Sequence, residues 1–486
     1  MRIPSIDRAA ALAAVTALAV PLASQARPVA FTNARIYTLE GDPIPRGTLL
    51  VRDGRIVKVG ADVDVPAGAR VVDCRGGSIV PGLVSAWSHA GLETKAGPRP
   101  TAFPRSRRGR RGPPMPVSRG SGASNQAAKK VADQIYAQQA IFGDLLEAGV
   151  TTLAVAPLGN GFSGIGAVLA PNGRTLAELV ANDDAFVMVG MAADSQVKKL
   201  LKEQFEKARK ALEERKKPKE PEPFAKPGAK GTKEEKEPAP SGKPPEPKPE
   251  PKPEPKPEPK PEPKPEPKPE PKPEPPKSEP APAPAQQAEK PAPKDPNVEV
   301  LADLLEGKRR AFVEIDSAAE LLHWFHAVGE DLKFPRTIVD ARFDPNSGTL
   351  DEVVDRVKAL GAALLVPPSL STLPRSRFLT HPVKKLHDAG IEVGFLIPDS
   401  REEVEGIWFR LQELVRCGLP AGVALRGVTI VPAKALGLEK EIGSLKEGKR
   451  ADFLLFAGDW MDPTSRLEAV WREGVEATDQ PKGDSR

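Results

Sequence analysis

Residues 79–92 read IVPGLVSAWSHAGL, an apolar run that ends in a tryptophan, a serine and a histidine. The run is typical of a buried strand, and residues two apart on a strand project from one face, so Trp87 and His89 share a side. Two imidazoles at that spacing would form half of a metal site, but an indole stands at one of the two positions. The stretch is therefore a metal-binding strand or the remains of one.

Strand and helix patterns extend in both directions from this stretch. Short strands separated by turn signals fill residues 29–78. After the stretch we predict an amphipathic helix over about 126–148, ended by Gly149, and a second helix over about 194–214. The strand VTTLAV lies between these two helices.

The same alternation continues beyond residue 298. Ser317 with Glu320, and Ser400 with Glu403, form predicted capping boxes that open two helices, the second of them long. Repeated strand–helix units indicate a parallel sheet. About eight such units predict an α/β fold of the (β/α)8 TIM-barrel type.

A proline-rich spacer interrupts the alternation over residues 215–297. It contains seven uninterrupted Glu-Pro-Lys-Pro repeats, from Glu246 to Pro273. Such a segment buries too little apolar surface to fold, and its polyproline II preference would let the repeats reach roughly 90 Å. Two interpretations stay open: an inert insertion, or a spacer or ligand for a proline-binding domain.

A second irregular segment, Arg99–Arg119, is rich in arginine. It holds seven arginines and no acid, and its prolines and glycines predict a loop. The segment is either a disordered basic insertion or a site for an anionic partner such as phosphate or lipid headgroups.

The first 26 residues have the pattern of a secretory signal peptide. Arg2 and Arg8 precede a 15-residue apolar stretch, and cleavage is expected after Ala26. We therefore expect an exported protein, periplasmic or extracellular, with no membrane span in the mature chain. Cys74 and Cys417 are expected to be free thiols. A net charge of +5 over 486 residues indicates no nucleic-acid partner.

The two ends of the chain carry the most specific motifs. They are VRDGRIVKVG at 51–60, GGSIVPGL at 76–83 and GVTIVPAKALGLEKEIGSLKEGKRADFLLF at 427–456. This set resembles the amidohydrolase superfamily, most of all its imidazolonepropionase-like branch. The resemblance covers about 29–200 and 298–478.

The resemblance implies a metal-dependent TIM barrel flanked by a small β-sandwich built from both chain ends. It also implies hydrolysis of non-peptide C–N bonds, as in cyclic amides, by water activated on a divalent metal, usually zinc. The predicted divisions are a signal peptide at 1–26, the N-terminal portion of the sandwich at 27–78, barrel halves at 79–214 and 298–430, the spacer at 215–297, the C-terminal portion of the sandwich at 431–478 and a tail at 479–486.

The first strand departs from the family's pattern. That pattern places an Asp and then His-x-His after Pro-Gly; here Ser85 and Trp87 stand at the Asp and the first His, and only His89 matches. An indole N–H has no lone pair for a metal, so Trp87 marks a degraded ligand position.

The remaining expected ligands are mostly acidic. Glu314 stands roughly where the family has a His, and shares a face with Asp316. TIVDAR places Asp340 and Arg342 on one face, and we expect Arg342 to balance the charge of these acids in place of a metal.

Asp399 matches the family's metal ligand and proton acceptor, and it is the expected catalytic residue. Its alternative role is local, as a turn residue before the next helix. The other histidines, which do not complete a metal site, are His323, His326, His381 and His387.

Two functional hypotheses follow. One is an exported hydrolase that uses His89, Glu314, Asp340 and Asp399 as an oxygen-rich metal site, with zinc as its metal and a small molecule as its substrate. The other is a non-catalytic barrel that binds a small molecule or a cell-envelope partner. The sequence does not indicate an oligomeric state. The residues favour the second hypothesis, because a water-activating zinc ion needs about three good ligands.

Overall fold

The computed structural model describes residues 27–92, 122–216, 294–341, 350–373 and 376–477. All of them belong to one compact unit. The predicted signal peptide, the Arg99–Arg119 loop, the Glu-Pro-Lys-Pro repeats, Arg342 and the tail at 479–486 lie outside the described residues.

The described residues form both strands and helices along most of the chain. The strands are β1 (Val29–Ile36), β2 (Ile44–Arg52), β3 (Arg55–Gly60), β4 (Arg70–Asp73), β5 (Ser78–Pro81), β6 (Leu83–Ser88), β7 (Ala123–Asn125), β8 (Val150–Val155), β9 (Asn160–Leu169), β10 (Val180–Gly190), β11 (Ala311–Glu314), β12 (Arg336–Val339), β13 (Ala363–Val366), β14 (Ser371–Thr372), β15 (Leu379–Thr380), β16 (Val393–Phe395), β17 (Phe453–Phe456), β18 (Leu467–Arg472) and β19 (Val475–Glu476). The helices are α1 (Ala140–Glu147), α2 (Leu176–Leu179), α3 (Ser195–Lys216), α4 (Pro296–Leu305), α5 (Ala318–Val328), α6 (Val354–Ala359), α7 (Pro382–Asp388), α8 (Arg401–Glu405), α9 (Ile407–Arg416), α10 (Ala421–Gly427) and α11 (Ile430–Leu436), with 3-10 turns at Val131–Gln134 and Leu350–Val353. Within the described ranges every helix is too short or too polar to cross a lipid bilayer.

One sheet joins the two ends of the chain. Its strands follow the order β19-β18-β17-β5-β1-β2-β3, with β4 beside β1. Three aromatic rings fasten the two ends: Phe31 of β1 meets Phe453 of β17 and Trp471 of β18 edge-on, each at 4.8 Å between ring centroids. A sheet built from both ends is therefore present, while its description as a sandwich stays a prediction.

A second sheet is curled and carries the rest of the fold. Its hydrogen-bonded path runs β16-β13-β12-β11-β10-β9-β8-β6, with β7 beside β9. Among the described residues no ladder joins β6 to β16, so the sheet is an open half-barrel and closure into a full (β/α)8 barrel is not confirmed. Strand β9 is antiparallel to both β8 and β10, so the expectation of a wholly parallel sheet is wrong there.

The concave side of the curled sheet is filled with apolar side chains. Phe186 and Phe312 stack at 4.1 Å within a cluster that includes residues from β6, β8, β13 and α11. Helix α11 contacts both β6 and β16, the two end strands of the hydrogen-bonded path. The interior is therefore a packed core, and functional side chains are expected at its rim.

Helices α3 and α4 meet on either side of the proline-rich spacer. Arg215, in the last turn of α3, forms ion pairs with Glu299 and Asp303 of α4 and with Glu306 directly after it, at 2.8 Å for Asp303 and 3.2 Å for Glu306. The chain therefore leaves α3 and returns to α4 at one place, although the ion-paired residues are more than 80 positions apart.

Several predicted helices differ from the observed ones. Residues 126–148 do not form one helix, because Lys130 and Ile135 bridge to Ile165 and Leu92 on either side of the 3-10 turn Val131–Gln134, ahead of α1. This long-range pairing overrides a strong local helix preference. The second predicted helix is confirmed as α3.

The two predicted capping boxes also differ. The Ser317 hydroxyl caps α5 by accepting from Glu320 N, but the Glu320 carboxylate accepts from Asp316 N instead of Ser317 N. Ser400 makes no side-chain cap, and the long helix expected after it is divided at Gly406 into α8 and α9.

Candidate functional site

The candidate site lies where parallel strands of the curled sheet end. Strand β6 ends at Ser88 and β11 at Glu314, while Asp340 directly follows β12 and Asp399 lies four residues beyond β16. The carboxyl ends of parallel strands meet at one edge of a sheet, which is the usual position of active sites in such folds.

Asp399 is held by the end of β6. One carboxylate oxygen accepts a hydrogen bond from the Ser88 hydroxyl at 2.5 Å, and the other accepts from the His89 backbone N–H at 2.9 Å. The Ser88 hydroxyl oxygen also accepts from Ala90 N at 2.9 Å. Both oxygens of the expected metal ligand are therefore engaged in joining the first strand to the segment after the last one.

Burial raises the pKa of the Asp399 carboxyl group above its usual value. The hydrogen bonds from Ser88 and His89 act in the opposite direction, because they favour the charged form. The raised pKa shows that desolvation outweighs these two donors.

Trp87 and His89 lie together, as their spacing predicts. Their rings meet edge-on with centroids 4.4 Å apart. Trp87 packs against the interior cluster, and its buried indole N–H has no hydrogen-bond partner among the described residues. The indole thus occupies the rim of the sheet next to the retained histidine.

His89 is oriented by the neighbouring strand. Its Nδ1 lies 2.9 Å from the carbonyl oxygen of Ala156, the residue after β8. Because a carbonyl only accepts, Nδ1 carries the proton, and Nε2 is then the ring atom that could bind a metal.

Glu314 and Asp340 project to opposite sides of the sheet. Glu314 is paired in register with Val339, and both Val339 and Phe312, two residues before Glu314, belong to the interior cluster. Asp340 is the next residue after Val339, so alternation turns it away from the interior. Both acids are buried, at 6% and 8% exposure, but the sheet does not bring them to one face.

Asp316 has a structural position. Its carboxylate accepts from Ala341 N at 3.0 Å, which ties the end of β11 to the end of β12. Arg342 lies outside the described residues, so its role in balancing these acids stays a prediction.

The donor set does not fit a water-activating zinc ion. Among the residues that the structure describes, no group of three or more His, Cys, Asp or Glu side chains could hold a metal. His89 and Asp399 supply one imidazole and one carboxylate, two of the three ligands that catalytic zinc sites use. The described side chains therefore disagree with the metal that the sequence motifs imply.

Sequence reasoning missed Ser88, and among the other histidines the structure gives His381 a structural role. His381 caps α7 by accepting from Lys384 N at 3.0 Å, and its Nε2 lies 3.1 Å from Leu414 O. For Ser88 the only signal was a hydroxyl directly before the retained histidine, and nothing in the sequence pairs it with Asp399.

Comparison with known proteins shows which sequences and folds this chain resembles. Residues 379–478 match the model of the amidohydrolase family. An amidohydrolase from Thermotoga maritima has the same fold, with a TM-score of 0.63 at 19% identity over 92% of this chain and 99% of that one. The fold is thus the α/β fold of solved amidohydrolases.

Curated relatives match shorter stretches. Imidazolonepropionase of Treponema denticola is 30% identical over 136 residues, 26% of this chain and 32% of that protein. Adenine deaminase of Shewanella halifaxensis is 42% identical over 64 residues, 13% of this chain and 11% of that protein. The chain thus spans at most about a third of the length of these relatives. Together with the family match over residues 379–478, these partial similarities support the resemblance to the amidohydrolase superfamily.

Proposed function

We propose that this protein is an exported member of the superfamily in which metal-dependent hydrolysis of C–N bonds is impaired or lost, and that the rim of the curled sheet binds a small molecule or a cell-envelope partner. The observation that carries the proposal is the Trp87 indole, which lies beside His89 where the family's pattern has a first imidazole. Asp399, the residue expected to hold a metal and move a proton, also joins the end of β6 to the segment after β16.

The argument rests on the number of ligands and on the space beside His89. Asp399 and His89 would supply two ligands, fewer than the three that hold a catalytic zinc ion. Trp87 adds a steric term, because its ring stands beside His89 where a second imidazole would complete the pair.

A second candidate is a hydrolase of cyclic amides with an oxygen-rich site. It is favoured by the retained Asp399, by His89 with Nδ1 bonded to a carbonyl as metal-binding histidines usually are, and by the similarity to an imidazolonepropionase. In such proteins a divalent metal would supply the activated water.

Metal content and turnover separate the two candidates. We would measure zinc, iron and manganese by elemental analysis in the purified protein, in Asp399→Asn and in Asp388→Asn, an exposed aspartate paired with Lys384. The proposal expects substoichiometric metal in all three and no hydrolysis of cyclic amides above background. Stoichiometric metal that disappears in Asp399→Asn but not in Asp388→Asn would establish the hydrolase instead.

Export and the two low-complexity segments remain proposals. N-terminal sequencing of the protein from the producing cell should find Arg27 as the first residue if the signal peptide is removed. A start at Met1 in secreted or membrane fractions would contradict that cleavage. We further propose that Arg99–Arg119 binds an anionic partner and that the half-barrel closes into a full barrel.

A further inference from the structure

A small hairpin near the candidate site exposes apolar side chains to solvent. Strands β14 and β15 pair antiparallel, with Ser371 opposite Thr380 and Thr372 opposite Leu379. Leu373, Phe378 and Leu379 are 50%, 74% and 68% exposed, and the last two are the most exposed large apolar side chains of the described residues. Solvent exposure of three large apolar groups within seven positions marks an interaction surface.

The described residues on either side of the hairpin's tip form hydrogen bonds with one another. Leu373 N donates to Phe378 O at 3.0 Å, and Ser376 N donates to Leu373 O at 3.1 Å. Phe378 N donates to the Ser376 hydroxyl oxygen at 3.2 Å. These hydrogen-bonded groups can enter an apolar medium at a lower cost than unpaired N–H and C=O groups.

The hairpin itself has a basic sequence. Residues 371–380 contain two arginines and no Asp or Glu. Arg377, between Ser376 and Phe378, is exposed and has no ion-pair partner among the described residues. Apolar side chains beside an unpaired arginine are the combination that favours the boundary of an anionic lipid layer.

We propose that the β14–β15 hairpin docks this protein on an anionic lipid surface, with Leu373, Phe378 and Leu379 among the acyl chains and Arg377 at the phosphates. A second copy of the chain is a poorer occupant, because a stable protein interface uses about 20–30 residues a side. The hairpin follows β13 after the four residues 367–370, so docking would turn the rim that carries Asp399 toward the membrane.

Vesicle sedimentation tests the proposal, with the protein purified from the producing cell after any removal of the signal peptide. Vesicles of phosphatidylcholine alone are compared with vesicles that also contain phosphatidylglycerol. We expect binding to the anionic vesicles, and a loss of about tenfold or more in Phe378→Ser/Leu379→Ser, because burying a Phe and a Leu contributes strongly to partitioning. Phe409→Ser removes a 60% exposed aromatic from another element and should leave binding unchanged.

A second variant tests the charge. Arg377→Glu should weaken binding to anionic vesicles several-fold and leave the weak binding to phosphatidylcholine unchanged. Circular dichroism and thermal unfolding of each variant check that the fold is intact.

Three results would overturn the proposal. One is a protein that does not sediment with anionic vesicles, and another is binding that survives Phe378→Ser/Leu379→Ser and therefore arises elsewhere, as at Arg99–Arg119. The third is a dimer in analytical ultracentrifugation that dissociates in the double variant, which would assign the hairpin to contact between copies.

Discussion

Ser88 and Asp399, 311 residues apart in sequence, share a hydrogen bond that joins the end of β6 to the segment after β16. These are the two terminal strands of the curled sheet, and among the described residues no backbone ladder connects them. The Asp399 carboxylate, which the sequence assigns to catalysis, thus makes a connection that backbone pairing would otherwise make.

Removal of this joint should destabilise the protein. Asp399→Ala leaves the buried Ser88 hydroxyl and the His89 N–H without their acceptor, and we expect a loss of about 2–4 kcal/mol in the free energy of unfolding. Asp399→Asn, which keeps one acceptor oxygen, should lose less. Urea unfolding measures both, and an unchanged midpoint for Asp399→Ala would show that the carboxylate does not join the strands.

Restoring an imidazole at position 87 tests whether the site is degraded. Because Trp87 and His89 already lie side by side, Trp87→His should bind zinc at least about tenfold more tightly than Trp87→Phe, which makes a similar cavity without a ligand. Isothermal titration calorimetry with zinc chloride measures the difference. Equal affinities would mean that more of the site than Trp87 has been lost.

The ion pairs of Arg215 should stabilise the junction of α3 and α4. Arg215 is only 21% exposed and contacts three acids, so Arg215→Ala is expected to lose about 1–2 kcal/mol. Lys199→Ala breaks an ion pair with Glu203 on the same helix, in which the Lys199 side chain is 77% exposed, and should change stability by less than about 0.5 kcal/mol. Thermal unfolding compares them, and equal losses would contradict a special role for Arg215.

Replacing Gly166 or Gly143 by alanine is expected to change the stability of the protein in opposite directions. A Cβ at Gly166 would come within 2.1 Å of the Phe186 ring, which is stacked on Phe312 and cannot move away, so Gly166→Ala should cost about 1–3 kcal/mol. Gly143 lies within α1 with open space around it, and Gly143→Ala should gain about 0.5–1 kcal/mol. Chemical denaturation measures both signs. A tolerated Gly166→Ala would show that the interior is more loosely packed.

The two free thiols should differ in reactivity. Burial raises the pKa of Cys74 to about 11, whereas Cys417 is exposed. At pH 8 we expect the Cys417 thiol to react quickly with a disulfide reagent and the Cys74 thiol to react only on unfolding. Because the folded pKa lies above that of an unfolded thiol, the stabilising contribution of the neutral Cys74 is complete below about pH 9 and is lost as the pH rises through about 11.

Cys74→Ala should therefore flatten the decline of stability between about pH 9 and pH 11, and Cys417→Ala should not. Urea midpoints across that range are the measurement. Identical pH profiles for the two variants would show that Cys74 is not the group responsible.

The sequence predicted the features of the fold that depend on local pattern. The local pattern predicted α3, and the resemblance carried by the motifs at 76–83 and 427–456 implied a sheet from both chain ends, in which β5 pairs with β17. The prediction from sequence failed where pairing with distant backbone determines the local structure, as at Lys130 and Ile135, whose bridges replace the expected helix. The reversed direction of β9 likewise depends on pairing with β8 and β10, which no local periodicity encodes.

The candidate site shows the same division. The sequence identified Trp87 beside His89 because the two lie on one strand, two residues apart. It could not show that Glu314 and Asp340 face opposite ways, since that follows from the register between β11 and β12. Nor could it pair Ser88 with Asp399, because a contact across 311 residues leaves no pattern in a single sequence.

The meeting of α3 and α4 at Arg215 has a consequence for how this chain can change over generations. Both ends of the proline-rich tract are fixed at one point, so the tract can gain or lose Glu-Pro-Lys-Pro units, as repetitive DNA readily does, without moving any strand of the sheets. Doubling the length of such a loop adds only about 0.6 kcal/mol of closure entropy. Replacing residues 217–293 with about six Gly and Ser residues, a usual length between neighbouring helices, should accordingly leave the melting temperature nearly unchanged. The stability of the fold therefore does not restrict the number of repeats, and only the reach of the tract is subject to selection.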